Sequence, residues 1–311
     1  MSHGVPCDKL MRMEMIEIEA FLAVARTGQF TRAALLLHLS QPAVSRRIET
    51  LERELGTRLF DRIPQGVRLT AAGEAFLPHA ERIGAAAGDG LRAVRELDDR
   101  VAGRVALALV GTLASTALPR RLRAFRERFP DVHVTIRTDR SDGVSQSVRQ
   151  GEADMGLRYF TDPSPGLVSV PFGEEELVVV CAPDSPLATS CPVGPEDLAG
   201  QPWVSYPVGA AASGEPFARL LRRQLGLVGL EPEPVIEIDS LTAQKRLIEA
   251  GFGVGLLPMS AIEEELRLGA LTILPVPELT ATVPIIAIHR REGSLSAAAR
   301  HLLTTLTGAG G

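Results

Sequence analysis

Residues 31–56, TRAALLLHLSQPAVSRRIETLERELG, restrict the possible folds of this chain more than any other stretch. The pattern predicts two short helices joined by a very tight turn. Thr31 is placed to cap the first, with Phe30 before the cap and Leu35 after it as a hydrophobic staple. Ser40 is placed to cap the second, with Leu39 and Val44 in the same relation. Pro42 falls in a first helical turn, where amide donors have no partner to lose. Gly56 supplies the stop.

The second helix has two faces. Val44, Ile48, Leu51 and Leu55 recur at helical spacing and are expected to point inward. Pro42, Arg46, Glu49 and Arg53 lie opposite, flanked near the N-terminal end by Gln41, Ala43, Ser45 and Arg47. That tip offers amide, hydroxyl and guanidinium donors with little bulk between them, which a helix entering the DNA major groove requires. Residues 17–27 predict a helix before this pair, with Phe21, Leu22 and Ala25 buried and Gly28 ending it. Residues 57–69 predict a hairpin after it: TRLFDR, a Pro64-Gln65-Gly66 turn, then VRL. Arg62 and Arg68 either reach phosphates from this hairpin or hold its solvated face.

The net charge of −5 excludes a uniformly basic nucleic-acid binder. Its distribution matters more. From residue 20 to 70 the charges are Arg26, Arg32, Arg46, Arg47, Arg53, Arg58, Arg62 and Arg68 against Glu49, Glu52, Glu54 and Asp61. A locally positive segment on an acidic protein suits one domain that meets phosphate and a remainder that does not. A solvated charged helix is the alternative.

The run LSQPAVSRRIETLERELGTRLFDR, followed by LTAAGE, resembles the N-terminal domain of LysR-type transcriptional regulators. With the segments below, the resemblance extends over nearly all of the chain after about residue 13. It implies an α/β protein with an N-terminal all-α winged helix-turn-helix (13–70), a long linker helix for dimerisation (71–102) and a two-lobed effector domain (103–311) like that of periplasmic binding proteins. The first lobe would hold about 103–175 and 283–311, the second about 176–282. The implied partners are double-stranded operator DNA, a small effector and further copies of the chain, as a dimer and then a tetramer. Arg46 is expected on a base edge, with Arg47, Arg32 and Arg62 on phosphate.

Thr70 is placed to cap the long helix. Phe76, Ala80, Ile83, Ala87, Leu91, Val94, Leu97 and Val101 make an apolar stripe at near-heptad spacing, which needs a partner helix or its own domain to pack on. Pro78 removes a helical hydrogen bond, and Gly84, Gly88 and Gly90 weaken the helix further, so a kinked or loose helix is expected. From Gly103 the pattern turns to alternating strands and helices, the arithmetic of a parallel βαβ sheet. Residues 177–181 predict a buried strand crossing into a second lobe. That lobe would contain residues 203–206, a helix over 215–225, a strand over 235–238, a helix to Ala250, and GVGLLP. Residues 283–288 would return to the first lobe, and a helix over 296–306 would close it.

A cleft between two such lobes is where a small ligand binds. Thr112 follows the first strand, while Ser141 and Ser240 precede helices; capping is the common role for such residues. Helix N-termini also favour anions, so several facing one cleft would suit a carboxylate effector. Ser205 adds a hydroxyl from the second lobe. In LysR-type proteins the corresponding positions line the effector pocket; the matching segments here are GTLASTALP, DRSDGVSQSVRQGEADMGL, PWVSYP and DSLTAQKRLIEAGFGVGLLP. The small residues of 208–214, VGAAASG, leave the shape of that pocket open.

No metal-ligand spacing, nucleophile constellation or acid–base pair stands out, so neither an enzyme nor a bound cofactor is expected. Gly251, Gly253 and Gly255 lack the strand-before, helix-after context of a phosphate loop and are read as a helix stop and a tight turn. Cys7, Cys181 and Cys191 form no CxxC pair, and LVVVC makes Cys181 a buried structural thiol rather than half of a redox switch. Glu174–Glu176 and Glu263–Glu265 read as solvated faces. The absence of a signal-peptide core or membrane-spanning run, with this cysteine usage, points to the cytoplasm. Residues 1–12 fit no domain pattern; Met13 or Met15 suits a domain start better. A solute-capturing protein would share the cleft but need a secretion signal and no residues 20–70. A small-molecule enzyme would need chemistry that the chain does not display.

Overall fold

The computed structural model describes residues 13–95, 103–115, 117–190, 193–207, 223–229, 234–293 and 295–308. The chain divides into two compact units, residues 1–97 with 149–152 and residues 98–148 with 153–311. In the first, α1 (Met15–Thr27) begins two residues earlier than predicted, because the Glu17 carboxylate turns back to accept from the Glu14 amide at 3.0 Å. Gly28 closes it in the left-handed region at φ 64°. α2 (Phe30–Leu36) and α3 (Gln41–Leu55) form the predicted pair.

The caps differ from expectation. Gln29, not Thr31, precedes α2, and Thr31 is an exposed residue of its first turn. Burial of Ala33 and Ala34 together with the Phe30 ring fixes the roll of this helix, so Thr31 and Leu35 turn outward; Leu35 is 72% exposed and staples nothing. Ser40 does stand at the start of α3 with extended backbone, but its hydroxyl makes no capping bond. Val44, Ile48 and Leu51 are buried as predicted. Leu55, the last helical residue, lies past the core and is exposed.

The core of this unit joins Ile18, Phe21, Val24, Val44, Ile48 and Leu51 to Phe60 of the hairpin. Phe21 meets the Phe60 and Phe76 rings at 5.3 and 5.1 Å. Strands β1 (Phe60–Ile63) and β2 (Gly66–Leu69) pair with Ile63 opposite Gly66, leaving Pro64 and Gln65 as the turn. Gly66 adopts φ 144°, and a Cβ there would lie 2.3 Å from the Gly28 carbonyl oxygen. The Val67 amide donates to that same oxygen at 2.8 Å, so the hairpin is tied to the end of α1. Helix α4 (Ala71–Arg95) is capped by Thr70, whose Oγ1 accepts from the Gly73 amide at 3.0 Å. It continues unbroken through Pro78. Phe76 and Ala80 pack on the core. Ile83, Leu91 and Val94 are exposed; Leu97 and Val101 lie outside the described residues.

The second unit begins with β3 (Gly103–Val110), α5 (Leu118–Arg128), β4 (Val132–Asp139), α6 (Ser141–Arg149) and β5 (Met155–Tyr159), with β3 parallel to both β4 and β5. It continues through β6 (Leu167–Cys181), β7 (Trp203–Ser205), β8 (Pro234–Glu237), β9 (Gly255–Pro258), β10 (Thr272–Leu274) and β11 (Ala281–Arg290). The main sheet runs β10-β6-β11-β5-β3-β4, with β9 also on β6. It is mixed rather than parallel throughout, because β11 lies antiparallel to both β5 and β6. The expected crossing strand 177–181 is the far end of a 15-residue strand. Its near end pairs with β11, and its far end also takes β9 and β10. Along LVVVC, Leu177, Val179 and Cys181 enter one core while Val178 and Val180 enter another, with Val204, Ile248 and Leu257. A continuous apolar run is the mark of a strand buried on both faces. β7 and β8 form a separate parallel pair. The Ala297–Thr307 helix closes the unit, capped by Ser296. The helix expected at 215–225 and the loop 208–214 fall largely or wholly outside the described residues.

Gly73 packs against the base of the hairpin: a Cβ would sit 2.2 Å from the Leu59 carbonyl oxygen. At Gly56 the backbone is left-handed at φ 70°, but nothing lies within 4 Å of an added Cβ. Gly73→Ala is therefore expected to destabilise the N-terminal unit by about 3 kcal/mol, the upper part of the overpacking range. Gly56→Ala, which strains only the backbone, is expected to cost about 1 to 2 kcal/mol. Urea denaturation of the two variants checks the order; a neutral Gly73→Ala would show that α4 slides freely on the hairpin.

Candidate nucleic-acid interface and ligand cleft

Burial of Val44, Ile48 and Leu51 fixes the roll of α3 and leaves Gln41, Pro42, Arg46, Glu49 and Arg53 exposed. Ala43, Ser45 and Arg47 flank that face and are half-buried. Arg32 is exposed on α2. Among the described residues none of Arg32, Arg46, Arg47, Arg58, Arg62 and Arg68 forms an ion pair, so their donors remain open to solvent or phosphate.

The hairpin register separates two residues that sequence reading had treated alike. Arg62 stands opposite Val67 and Arg68 opposite Asp61, so the two arginines project from opposite faces of the ribbon. The Arg62 face lines a groove of about 200 Å³ against α3, shared with Ser45, Glu49, Arg58 and Val67. Arg68 shares its face with a carboxylate instead. Arg58, in the same groove, was missed as a site residue; only its place in the basic segment hinted at it. Glu52 was missed as well. Its Oε1 accepts from the Leu59 and Phe60 amides at 2.7 and 3.3 Å, which clamps the start of the hairpin to the body of α3.

In the second unit the four predicted hydroxyls fall into two pairs. Val110 and Asp139 are register partners at the carboxyl ends of parallel β3 and β4; Thr112 and Ser141 follow each by two residues. Ser141 is the first residue of α6 rather than its predecessor. Likewise Ser205 pairs with Glu237 at the carboxyl ends of β7 and β8, and Ser240 follows three residues on. Carboxyl ends of parallel strands are where α/β sheets bind ligands. Thr112, Ser141 and Ser205 are buried. Ser240 is exposed, and its hydroxyl caps the Leu241–Glu249 helix by accepting from the Ala243 amide at 3.4 Å.

The structure adds residues to each pair. Thr112 Oγ1 lies 3.0 Å from the hydroxyl of buried Tyr159, at the end of β5. Next to it Phe160 has φ 60°, a strained value for a residue with a side chain. Behind this point Arg158 pairs with Asp162, Ser145 Oγ donates to Asp162 Oδ2 at 2.5 Å, and the Ser164 amide donates to Oδ1 at 2.8 Å. Burial raises the Asp162 carboxyl, but the Ser145 and Ser164 hydrogen bonds and the Arg158 charge outweigh it and hold the group below its ordinary value. In the second lobe Gln244 is buried and donates Nε2 to the Val204 carbonyl at 2.9 Å. Its Oε1 finds no partner among the described residues, an orphan acceptor beside Ser205.

One electrostatic expectation weakens. The Asp139 carboxylate lies over the first turn of α6, within 2.3 Å of where a Gly143 Cβ would be, and Asp142 adds a second acid there. These charges offset the positive potential at Ser141. Two of the acids read as solvated are not. Glu175, facing inward from β6, is buried and accepts from the Ser260 amide and hydroxyl at 3.2 and 2.8 Å. Glu265 is buried and ion-paired with Lys245 at 2.6 Å. Gly253 owes its place to packing: at φ 151°, its Cβ would be 2.2 Å from the Pro202 oxygen. Cys181 is buried in β6, and burial pushes its thiol pKa up; Cys7 and Cys191 lie outside the described residues. No cluster of metal-binding side chains occurs among the described residues, and no helix there is long and apolar enough to cross a membrane.

Residues 16–74 match the model of the "bacterial regulatory helix-turn-helix protein, lysR family", and residues 98–310 that of the "LysR substrate binding domain". An uncharacterised HTH-type transcriptional regulator of Escherichia coli K12, YeiE, is 30% identical over 295 residues, covering 94% of this chain and 97% of that protein. A probable nitrogen assimilation transcriptional activator of Synechococcus elongatus is 31% identical over 285 residues, 89% of this chain and 88% of its own. Among solved structures, full-length CbnR, a LysR family transcriptional regulator, in complex with its target DNA, aligns with TM-score 0.58 and 28% identity over 94% of this chain and 99% of that one.

Glu175 provides a pH test of the junction between the lobes. Burial, assisted by the nearby Glu263 charge, raises its pKa despite the two bonds from Ser260. A carboxyl that binds its proton more tightly when folded contributes stability below its unfolded pKa of about 4.3 and loses it as pH rises through the folded value. Glu175→Gln is thus expected to raise the urea midpoint at pH 7.5, with the gain over the parent shrinking toward pH 4. An equal gain at both pH values would remove ionisation as the cause.

Proposed function

The chain belongs to the LysR family of bacterial transcription regulators, and from that premise we propose that a small ligand between the lobes of its second unit controls how α3 engages operator DNA. The observation that carries the DNA half is the outward face of α3: unpaired arginines at the tip of a helix whose roll is fixed by its own buried stripe. Gln41, Pro42, Ala43, Ser45, Arg46 and Arg47 would enter the major groove, with Arg46 on a base edge. Arg47, Arg32, Arg62 and Arg58 would meet phosphate, which adds affinity without sequence information. Arg68, on the Asp61 face of the hairpin, is the weaker candidate.

The ligand half rests on the paired strand ends. Thr112 with Tyr159, Ser141, and Ser205 with Gln244 would line the pocket, and Ser240 would act chiefly as a helix cap. A carboxylate remains the favoured effector class, supported by hydroxyl donors and the helix start at Ser240, since Asp139 and Asp142 offset the start of α6. A ligand can shift the arrangement of the lobes only by its differential affinity for the alternatives. The exposed Ile83, Leu91 and Val94 of α4 support self-association through that helix, as a dimer that the family resemblance extends to a tetramer. A protein of this kind would act in the cytoplasm, on chromosomal DNA.

Two experiments test this reading. Arg62→Ala is expected to weaken binding to every duplex alike and to flatten the salt dependence by about one unit of slope. Arg46→Ala should relax base preference instead, losing about tenfold or more in discrimination. Fluorescence anisotropy with selected and scrambled duplexes over a salt series reads both; unchanged affinities for Arg46→Ala would remove it from the interface. In the second unit, Thr112→Val is expected to blunt the melting shift given by active members of a small-carboxylate panel while leaving DNA affinity intact. Identical dose–response curves for variant and parent would take Thr112 out of the pocket, and a panel in which only neutral or cationic compounds shift the melt would exclude an anionic effector.

A further inference from the structure

The outward face of α3 holds one residue whose charge opposes its surroundings. Glu49 is exposed between Arg46, one turn before it, and Arg53, one turn after it, yet forms an ion pair with neither. Its Oε1 instead accepts a hydrogen bond from Ser45 Oγ at 3.1 Å, and its side chain lines the groove that α3 shares with Arg58 and Arg62 of the hairpin. A carboxylate on a face offered to a polyanion is repelled unless it meets a donor. The major groove presents one base edge that is a donor alone, the N4 amino group of cytosine; adenine places the N7 acceptor beside its N6 donor, and a carboxylate meets repulsion there.

We infer that Glu49 is a specificity-determining residue of this interface and reads a cytosine through its Oε2, while Ser45 holds Oε1 and fixes the side chain in advance. The inference rests on α3 being the DNA-reading helix and goes beyond it by assigning the base and the residue. Glu49 adds little to affinity in this role. It selects by making every sequence without cytosine at that position pay for an unpaired carboxylate. Ser45 becomes a positioning residue, acting on the base through Glu49.

The test is selection of binding sites from a pool of random 30-base-pair duplexes by the full-length protein, as the parent and as Glu49→Ala and Glu49→Gln. Glu49 is exposed, so neither variant disturbs the core. The parent is expected to enrich a motif with a C·G pair that Glu49→Ala leaves unspecified while all other positions persist. Glu49→Gln is expected to move that position toward adenine, which an amide pairs in bidentate fashion. Titration of the parent motif against its C·G→T·A derivative should show about tenfold discrimination, falling to near unity in Glu49→Ala. The same motif from parent and Glu49→Ala overturns the inference, as does a Glu49→Ala variant that tightens binding to all duplexes equally, the sign of plain repulsion. A parent that enriches nothing overturns the DNA-reading premise itself, an outcome separate from either of these.

Discussion

The roll of one helix decides what the N-terminal unit can present. Successive residues of an α-helix are about 100° apart, so burying Val44, Ile48 and Leu51 leaves no freedom in where Arg46 and Glu49 point. The Phe21–Phe60–Phe76 cluster makes that burial a property of the unit, since it brings α1, the hairpin and α4 onto the same core. Polar contacts then set the hairpin against the helix. Glu52 holds the amides of Leu59 and Phe60, and Gly28 accepts from Val67. Two glycines allow backbones to touch where these contacts need it: Gly66 against Gly28, and Gly73 against Leu59. A DNA reader needs its helix and hairpin at a fixed spacing, because both must meet one duplex at once.

The second unit uses a different device. Its two lobes share long strands rather than a flexible linker: β6 passes from β11 to β9 and β10 without a break, with Glu175 buried along the way. The far end of β6 is buried on both faces: Leu177, Val179 and Cys181 join a core that runs through both lobes, and Val178 and Val180 a smaller one with Val204, Ile248 and Leu257. Small hydroxyl residues stand at the end of β7 and two positions past the ends of β3 and β4. A hydroxyl donates and accepts with little bulk, which lets one scaffold take ligands of varied shape by changing a few side chains.

What the sequence disclosed follows the physics of local signals. Helical period, terminal glycines and the strand–helix alternation are properties of neighbours along the chain, and they located the helix-turn-helix and the hairpin and anticipated the alternating elements of the second unit. Failures came where tertiary packing outweighed a local preference. Thr31 is a good cap, but burying Phe30 moves the cap to Gln29 and starts α2 two residues earlier. Glu175 sits in a run of three acids that reads as solvent-facing, yet strand alternation turns the middle one inward. The antiparallel placement of β11 has no local signature. The same holds for the candidate site: Thr112, Ser141 and Ser205 stand at strand and helix boundaries that the sequence marks, whereas Tyr159, Gln244 and Glu52 are tied to partners 40 or more residues away or across a turn. Nothing in their immediate neighbours marks them.

Charge shows why a protein of net charge −5 is compatible with reading DNA. Exposed charges interact over a screening length of about 8 Å at physiological salt, so a duplex responds to the local surface and not to the total. Between residues 20 and 70 the eight arginines face four acids, and the acids are not equivalent. Glu52 is committed to two backbone amides. Asp61 lies on the Arg68 face of the ribbon, away from the groove that holds Arg62. Glu54 is half-buried, about 80° around α3 from Arg46, with its Oε2 out of contact with solvent. That leaves Glu49 as the exposed acid between Arg46 and Arg53 on the outward face of α3. An interface tuned only for affinity would have no use for it there; one that must reject most of a genome gains selectivity from a charge that repels every backbone and is satisfied by few base edges.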